Sequence, residues 1–139
     1  KTFNGKWWGE TINGTQGDDT INGLSGNDRL FGKNGNDRID GGSGKDRIDG
    51  GLGDDILTGG TGRDTLVFSS ANWGDDTVTD FRKGDVLQFS KQVVGSSSNV
   101  LDHAHDVNGN AVIDFGDNRT VTLMGIDADV LTKSDFSFM

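Results

Sequence analysis

The sequence predicts an all-β chain: a right-handed parallel β-roll of nine-residue repeats, closed by a C-terminal cap of β-strands and hairpins. Three observations carry this prediction. Six nonapeptides follow one another without a gap from Gly14 to Val67: GTQGDDTIN, GLSGNDRLF, GKNGNDRID, GGSGKDRID, GGLGDDILT and GGTGRDTLV. Positions 1 and 4 are Gly in every copy, position 6 is Asp and position 8 is Ile or Leu. The chain has 23 Gly in 139 residues and only 31% hydrophobic residues, which suits a thin solenoid better than a thick core.

A degenerate copy from Gly5 to Asn13 precedes the six, with Glu10 at the acid position and Ile12 at the apolar one. In the repeat from Gly41 to Asp49, the glycines let the backbone turn tightly and aim carbonyls inward, where a side chain would clash. Asp46 adds a carboxylate to that oxygen cluster. Arg47-Ile48-Asp49 then runs extended, so Ile48 faces one way and its neighbours the other. Two repeats with opposite turns close one coil, so position 6 stacks on position 6 two repeats later. One column holds Asp28, Asp46 and Asp64 above Glu10, and the other holds Asp19, Asp37 and Asp55.

Stacked strands lie about 4.8 Å apart. Two carboxylates at that spacing repel by about 0.9 kcal/mol even in bulk water, and by more where water is excluded. A hard divalent cation that takes six or more oxygens reverses the sign of that interaction. The pattern therefore predicts calcium between successive turns, about three to six ions in all. One Ile or Leu per repeat is a small core for so many ordered residues, so the repeat block is expected to fold only with the metal. An EF-hand would need its twelve-residue loop ending in Glu, with flanking helices, and a linker would not hold four positions in register.

The rhythm is read as ending after Val67, giving a roll over residues 1–75 and a β-cap over 76–139. In the cap, Thr77–Phe81 and Val86–Phe89 alternate as two short strands joined by a turn. Gly95–Ser98 with Asn99 reads as a surface loop. Val107-Asn108-Gly109-Asn110 carries a hairpin signal, and Ala111–Phe115 with Thr120–Met124 forms a second hairpin around Gly116-Asp117-Asn118. Asp127–Asp135 is expected to hold a short helical turn.

A net charge of −9 argues against nucleic acid and anionic membranes as partners. With no Cys there is neither disulfide nor thiol chemistry, and calcium would take over the stapling role. No stretch is long and apolar enough to span a membrane. The N-terminus lacks a cleavable leader, and Lys1 reads as a fragment boundary. The chain is expected to be a monomer without catalytic activity. Its paired carboxylates all lie in repeats, His103 and His105 read as surface histidines, and no nucleophile elbow or HExxH is present.

The nonapeptides resemble the RTX (repeats-in-toxin) family, matching GGxGxDxUx with the second Gly replaced at Thr15, Leu24 and Lys33. Asp76–Ser90 and the tail from Ala111 to Met139 look like the segments that follow the repeats in serralysin-type metalloproteases, family I.3 lipases and mannuronan C5-epimerase R-modules. This resemblance implies a calcium-binding C-terminal module of a protein secreted by a Gram-negative bacterium through a type I channel. A catalytic domain would be attached upstream, and the export signal would lie near Asp135-Phe-Ser-Phe-Met. It also implies ligand roles: position-6 carboxylates, with carbonyls of positions 2 and 4 in one turn and 1 and 3 in the turn stacked on it. Those are Asp19 with Thr15 and Gly17, and Asp28 with Leu24 and Gly26. Next come Asp37 with Gly32, Lys33, Asn34 and Gly35, and Asp46 with Gly41, Gly42, Ser43 and Gly44. Asp55 follows with Gly50, Gly51, Leu52 and Gly53, and Asp64 with Gly59, Gly60, Thr61 and Gly62. Asp76, Asp80 or Asp85 would complete a terminal site.

Three functional readings compete. The first is a calcium-dependent folding and secretion module of an exported enzyme. The second is a module that binds an acidic polysaccharide such as alginate, on a strip formed by Arg29, Arg47 and Phe31 on one outer sheet face. Against it, those Arg stems would simply cover apolar sheet and pair with Asp40 and Asp49. The third is the terminal module of an adhesin or toxin. Trp7, Trp8 and Trp73 flank the repeats and are expected to seal the ends of the roll.

Overall fold

The computed structural model describes residues 1–95 and 97–139. Among the described residues, fourteen strands form two sheets. After β1 (Thr2–Asn4), each strand of the repeats carries one position-8 residue as its second residue: β2 (Thr11–Asn13), β3 (Thr20–Asn22), β4 (Arg29–Asn34), β5 (Arg38–Asp40), β6 (Arg47–Leu52), β7 (Ile56–Thr58) and β8 (Thr65–Phe68). Beyond them come β9 (Gly74–Val78), β10 (Val86–Phe89), β11 (Ala104–Val107), β12 (Asn110–Asp114), β13 (Arg119–Leu123) and β14 (Phe136–Phe138).

Odd strands from β1 to β9 stack in parallel in one sheet, and even strands from β2 to β10 stack in parallel in the other. A three-residue strand turns only its middle side chain inward. The core is therefore two facing columns in register, Ile21, Ile39, Leu57 and Val78 against Leu30, Ile48, Leu66 and Leu87. All eight are buried. This single-file core has no room for a one-residue slip, which would turn every apolar side chain to solvent.

Past the repeats the fold departs from expectation in an informative way. The two short strands expected at 77–81 and 86–89 are present as β9 and β10, but they do not pair with each other. Strand β9 joins the first sheet and β10 the second, each parallel to its predecessor. The coil lengthens by three residues here, within the turn that holds Ser69–Asn72, and the parallel ladders run on through β9 and β10. The two expected hairpins are present, β11–β12 and β12–β13, and β13 adds parallel to β9. The last strand, β14, adds parallel to β10 and places Phe136 over Leu87. Asp127–Asp135 contains two short 3-10 turns, Ala128–Val130 and Lys133–Asp135.

Part of the expected loop at 95–99 is helical: α1 (Lys91–Val94) and α2 (Ser97–Asp102) flank Gly95. Ser96 of that loop lies outside the described residues. Here Val94 and Val100 are buried against the sheet ends, and that packing overrides the weak helix propensity of a Ser-rich segment.

The tryptophans divide. Trp73 is buried and packs edge-on against Phe68 and Phe115, with Phe89 and Phe136 completing an aromatic plug at the C-terminal end of the core. Trp7 and Trp8 seal nothing, for they are 78% and 60% exposed. Both sit in the turn between β1 and β2.

Candidate metal centre

Each turn places the position-6 side chain inside the roll by the same local device. The chain enters through Gly at position 1, reverses, and leaves into the strand directly after Asp. The six repeat aspartates are 1–4% exposed, a burial that carboxylates reach only when their oxygens find partners. Half of that requirement is met by the backbone. Asp37 Oδ1 accepts from the Asp19 amide and Asp46 Oδ1 from the Asp28 amide, both at 2.8 Å. Asp55 and Asp64 repeat the bond to Asp37 and Asp46 at 2.8 and 2.9 Å. Every column is thus threaded by one carboxylate oxygen per coil.

The columns continue beyond the repeats. Asp76 Oδ1 accepts from the Asp55 amide at 2.9 Å, and Asp85 Oδ1 from the Asp64 amide at 3.0 Å, after a spacing of 21 residues rather than 18. Glu10 begins the second column through its amide, which donates to Asp28 Oδ1 at 2.8 Å. Asp76 and Asp85 are therefore full members of the stacks. The signal was present in the sequence: Gly74-Asp-Asp-Thr-Val78 repeats Gly17-Asp-Asp-Thr-Ile21, displaced by the three-residue insertion that hides it from a strict period.

The other half of the requirement is unmet. The Oδ2 atoms of Asp28, Asp37, Asp46, Asp55 and Asp64 are buried with no hydrogen-bond partner among the described residues. They point at the position-1 glycines. A Cβ built on Gly41 would lie 2.6 Å from both Asp46 Oδ2 and the carbonyl oxygen of Gly59 in the next coil. Carboxylate and carbonyl oxygens from two coils thus converge on a space that only the missing side chain keeps open. The left-handed backbone at position 2 (φ 91° at Gly42 and Gly60) shapes the same turn. Position-2 carbonyls of Leu24 and Gly42 accept from Ser43 and Thr61, and each keeps a second lone pair.

Electrostatics agree with an incomplete site. Burial, with neighbouring carboxylates adding to it, pushes Asp46 and Asp64 up to about 6, Asp55 to about 7 and Asp76 to about 9. Asp37 and Asp85 are raised for the same first cause. Asp19 differs: backbone and hydroxyl donors of Thr15 satisfy both its oxygens, and the Thr15 amide leads in lowering its pKa. A buried carboxylate that resists ionisation is the state a cation would relieve. The residues therefore fit a hard, oxygen-seeking divalent ion. Among the described residues no three His, Cys, Asp or Glu side chains converge, as expected where backbone carbonyls supply much of the coordination.

Asp80 is placed differently from Asp76 and Asp85. Its Oδ1 and Oδ2 accept from the Gly59 and Gly60 amides at 2.9 and 2.8 Å, and Arg82 pairs with it at 3.1 Å. It stands in for the coil that the chain does not build above that turn.

The sheet-face residues lie where the repeat puts them. Arg29 stacks on Arg47 between Thr11 and Thr65, and Phe31 stacks on Asp49. Neither Arg makes an ion pair among the described residues, so the expected pairing with Asp40 and Asp49 is not formed. Ser69 Oγ instead approaches Asp49 at 3.4 Å. His103 packs its ring on Phe115.

Residues 9–39 and 31–66 match the RTX calcium-binding nonapeptide repeat, in four copies. Among solved structures the chain is similar to the extracellular lipase LipA from Serratia marcescens, with 30% identity and a TM-score of 0.75 over 91% of this chain and 20% of the lipase. It is also similar to the R2 and R3 subunits of the Azotobacter vinelandii mannuronan C5-epimerase AlgE6. R2 matches at 24% identity and TM-score 0.47, over 96% of this chain and 92% of that one. R3 matches at 22% and 0.38, over 96% and 80%. No curated protein matches. The chain spans about a fifth of the lipase. The buried aspartate columns, the glycine turns and the matched repeats agree: residues 9–66 carry RTX calcium-binding nonapeptide repeats, and the chain folds as a parallel β-roll.

Proposed function

We propose that this chain is a non-catalytic module that folds around calcium once outside the cell and supports an attached catalytic domain. The observation that carries this reading is the set of five buried Oδ2 atoms without partners, each facing a glycine turn of the same roll. The ligand set comprises the position-6 aspartates with carbonyls of positions 1 to 4, and Asp76 and Asp85 end the two columns. Occupancy is about three to six ions, each joining two coils. The roll runs on through β10, and the residues after it act as its cap.

Export follows from the same physics. Extracellular sites bind calcium with Kd near 10⁻⁴–10⁻³ M, far above its level in the cytosol of a Gram-negative cell. The chain would stay unfolded for a type I channel and fold on emergence. The folded position of β14 is consistent with this order: a signal at Phe136–Phe138 is accessible only before that strand docks on β10. The lipase is extracellular by its own description, and an upstream catalytic domain is the matching context here.

The decisive experiment is a calcium titration followed by far-UV circular dichroism and calorimetry. The expected result is disorder in chelator, a cooperative gain of β-structure near millimolar calcium and more than two ions bound. A full β spectrum in excess chelator, unchanged by calcium, would overturn the reading. A second reading, contact with acidic polysaccharide at Arg29, Arg47 and Phe31, is favoured by the unpaired Arg stack on an otherwise acidic chain.

A further inference from the structure

The two turn edges of the roll carry opposite charge. At position 5 on one edge stand Asp18, Asn36 and Asp54, with Asp75 in the equivalent place one coil on. Their side-chain oxygens bind the chain above: Asp18 accepts from the Asn36 amide, Asn36 from Asp54 and Asp54 from Asp75, at 2.8 to 3.0 Å. This is a second register ladder, outside the metal columns. On the other edge it starts the same way, with Asn27 Oδ1 accepting from the Lys45 amide at 2.8 Å. There it stops, because Lys45 and Arg63 occupy the next two rungs and neither side chain has an acceptor. The repeat gives up a hydrogen bond per coil to place two stacked cations where Asn or Asp would serve the fold better. Such a local break in a rule the rest of the chain keeps points to function.

The cations stand free. Lys45, Arg63 and Lys83 are exposed and take part in no ion pair among the described residues. Lys45 and Arg63 stack along the solenoid axis at the coil spacing of about 4.8 Å, and Lys83 lies one residue before Gly84, which aligns with Arg63 in the next coil. A cleft of about 470 Å³ is lined by Asn27, Gly44, Lys45, Thr61, Gly62 and Arg63, and a second of about 420 Å³ shares Arg63 and continues to Lys83 and Ser134, with Asp85 and Asp135 also in its lining. Beside the cations run three hydroxyl-bearing residues, Ser25, Ser43 and Thr61, whose backbones pair coil to coil.

We infer that this turn edge binds an acidic polysaccharide chain along the roll axis, with Lys45, Arg63 and Lys83 meeting successive anionic groups and Ser43 and Thr61 meeting sugar hydroxyls. The row of hydroxyls selects a polyhydroxylated polyanion over a bare phosphate chain, and the edge is built only when coils are stacked. The inference rests on the polysaccharide reading but moves the contact from the sheet face to the turn edge.

The test uses the whole chain saturated with calcium, in affinity electrophoresis and calorimetry against hyaluronate, dextran sulfate, uncharged dextran and polyphosphate. The variants are Lys45→Glu/Arg63→Glu at the edge and Arg29→Ala/Arg47→Ala on the sheet face, each checked for unaltered circular dichroism. The expected result is binding to an anionic glycan that weakens at least tenfold in the edge variant, changes less than twofold in the sheet variant and is absent for dextran. Loss in the sheet variant alone would overturn the edge assignment and leave the polysaccharide reading standing. Binding of polyphosphate as tight as that of the glycans would overturn the selection by hydroxyls. No shift with any polymer would remove both readings.

Discussion

Replacing Asp46 by Asn separates the two jobs of a column aspartate, because the amide keeps the oxygen that accepts from Asp28 and removes the charge. Without metal, that charge is costly. Asp46 is 2% exposed, lies between Asp28 and Asp64, and is raised by burial to about 6. A shift of about two units corresponds to about 3 kcal/mol at pH 7, which Asp46→Asn would return to the metal-free fold. With metal, the sign reverses. A carboxylate about 2.4 Å from a divalent ion gains at least about 3.5 kcal/mol over a neutral oxygen, even at the permittivity of water. Asp46→Asn should therefore raise the calcium concentration at the folding midpoint by at least tenfold, while shifting the metal-free equilibrium toward β-structure in an osmolyte such as TMAO. Circular dichroism against calcium, and against TMAO in chelator, measures both. A variant that destabilises both states, or leaves the calcium midpoint unmoved, would refute the claim that the column oxygens await a cation.

Acidity should act in opposite directions with and without the ion. Folded pKa values of about 7 for Asp55 and about 9 for Asp76 exceed the unfolded value of 3.8, so their contribution to the metal-free fold is fully present below 3.8 and lost as pH rises through the folded values. In chelator, moving from pH 7.5 to 5 should increase β-content, whereas in calcium the same change should raise the midpoint as protons compete; identical pH trends in both would contradict this. Leu24 and Lys33 hold φ of 73° and 88° where the next three turns use Gly42, Gly51 and Gly60, so Leu24→Gly/Lys33→Gly should relieve about 1–3 kcal/mol per site, visible as a higher Tm in calcium. Asp80→Ala leaves the Gly59 and Gly60 amides without their acceptor and should cost about 1–3 kcal/mol, read by urea denaturation, with amide exchange rising first in that turn.

The repeat made the site unusually readable. Position 8 could only be core and position 6 could only face the turn, since a three-residue strand after a glycine reversal leaves no other choice, and Ile48 and Asp46 lie where that logic puts them. Legibility failed where the period failed. Three residues inserted at Ser69–Asn72 shift Asp76 and Asp85 out of phase, yet both stack on the columns, because hydrogen bonding between coils recognises position in space rather than count along the chain. The Asn and Asp ladder at position 5 was also missed: its residues vary between acid and amide, and their shared role as acceptors appears only when one coil lies over the next.

What the sequence determined alone is the coil: its length, its inward residues, its stacked carboxylates and its appetite for a hard cation, all consequences of a local pattern repeated in register. Tertiary structure decided what happens at the ends and edges. It carried both sheets past the repeats, closed the core with Trp73 and four phenylalanines, left Trp7 and Trp8 in solvent, and set the free cations along one turn edge. Those outcomes depend on contacts between residues far apart in the chain, and no short-range pattern encodes them.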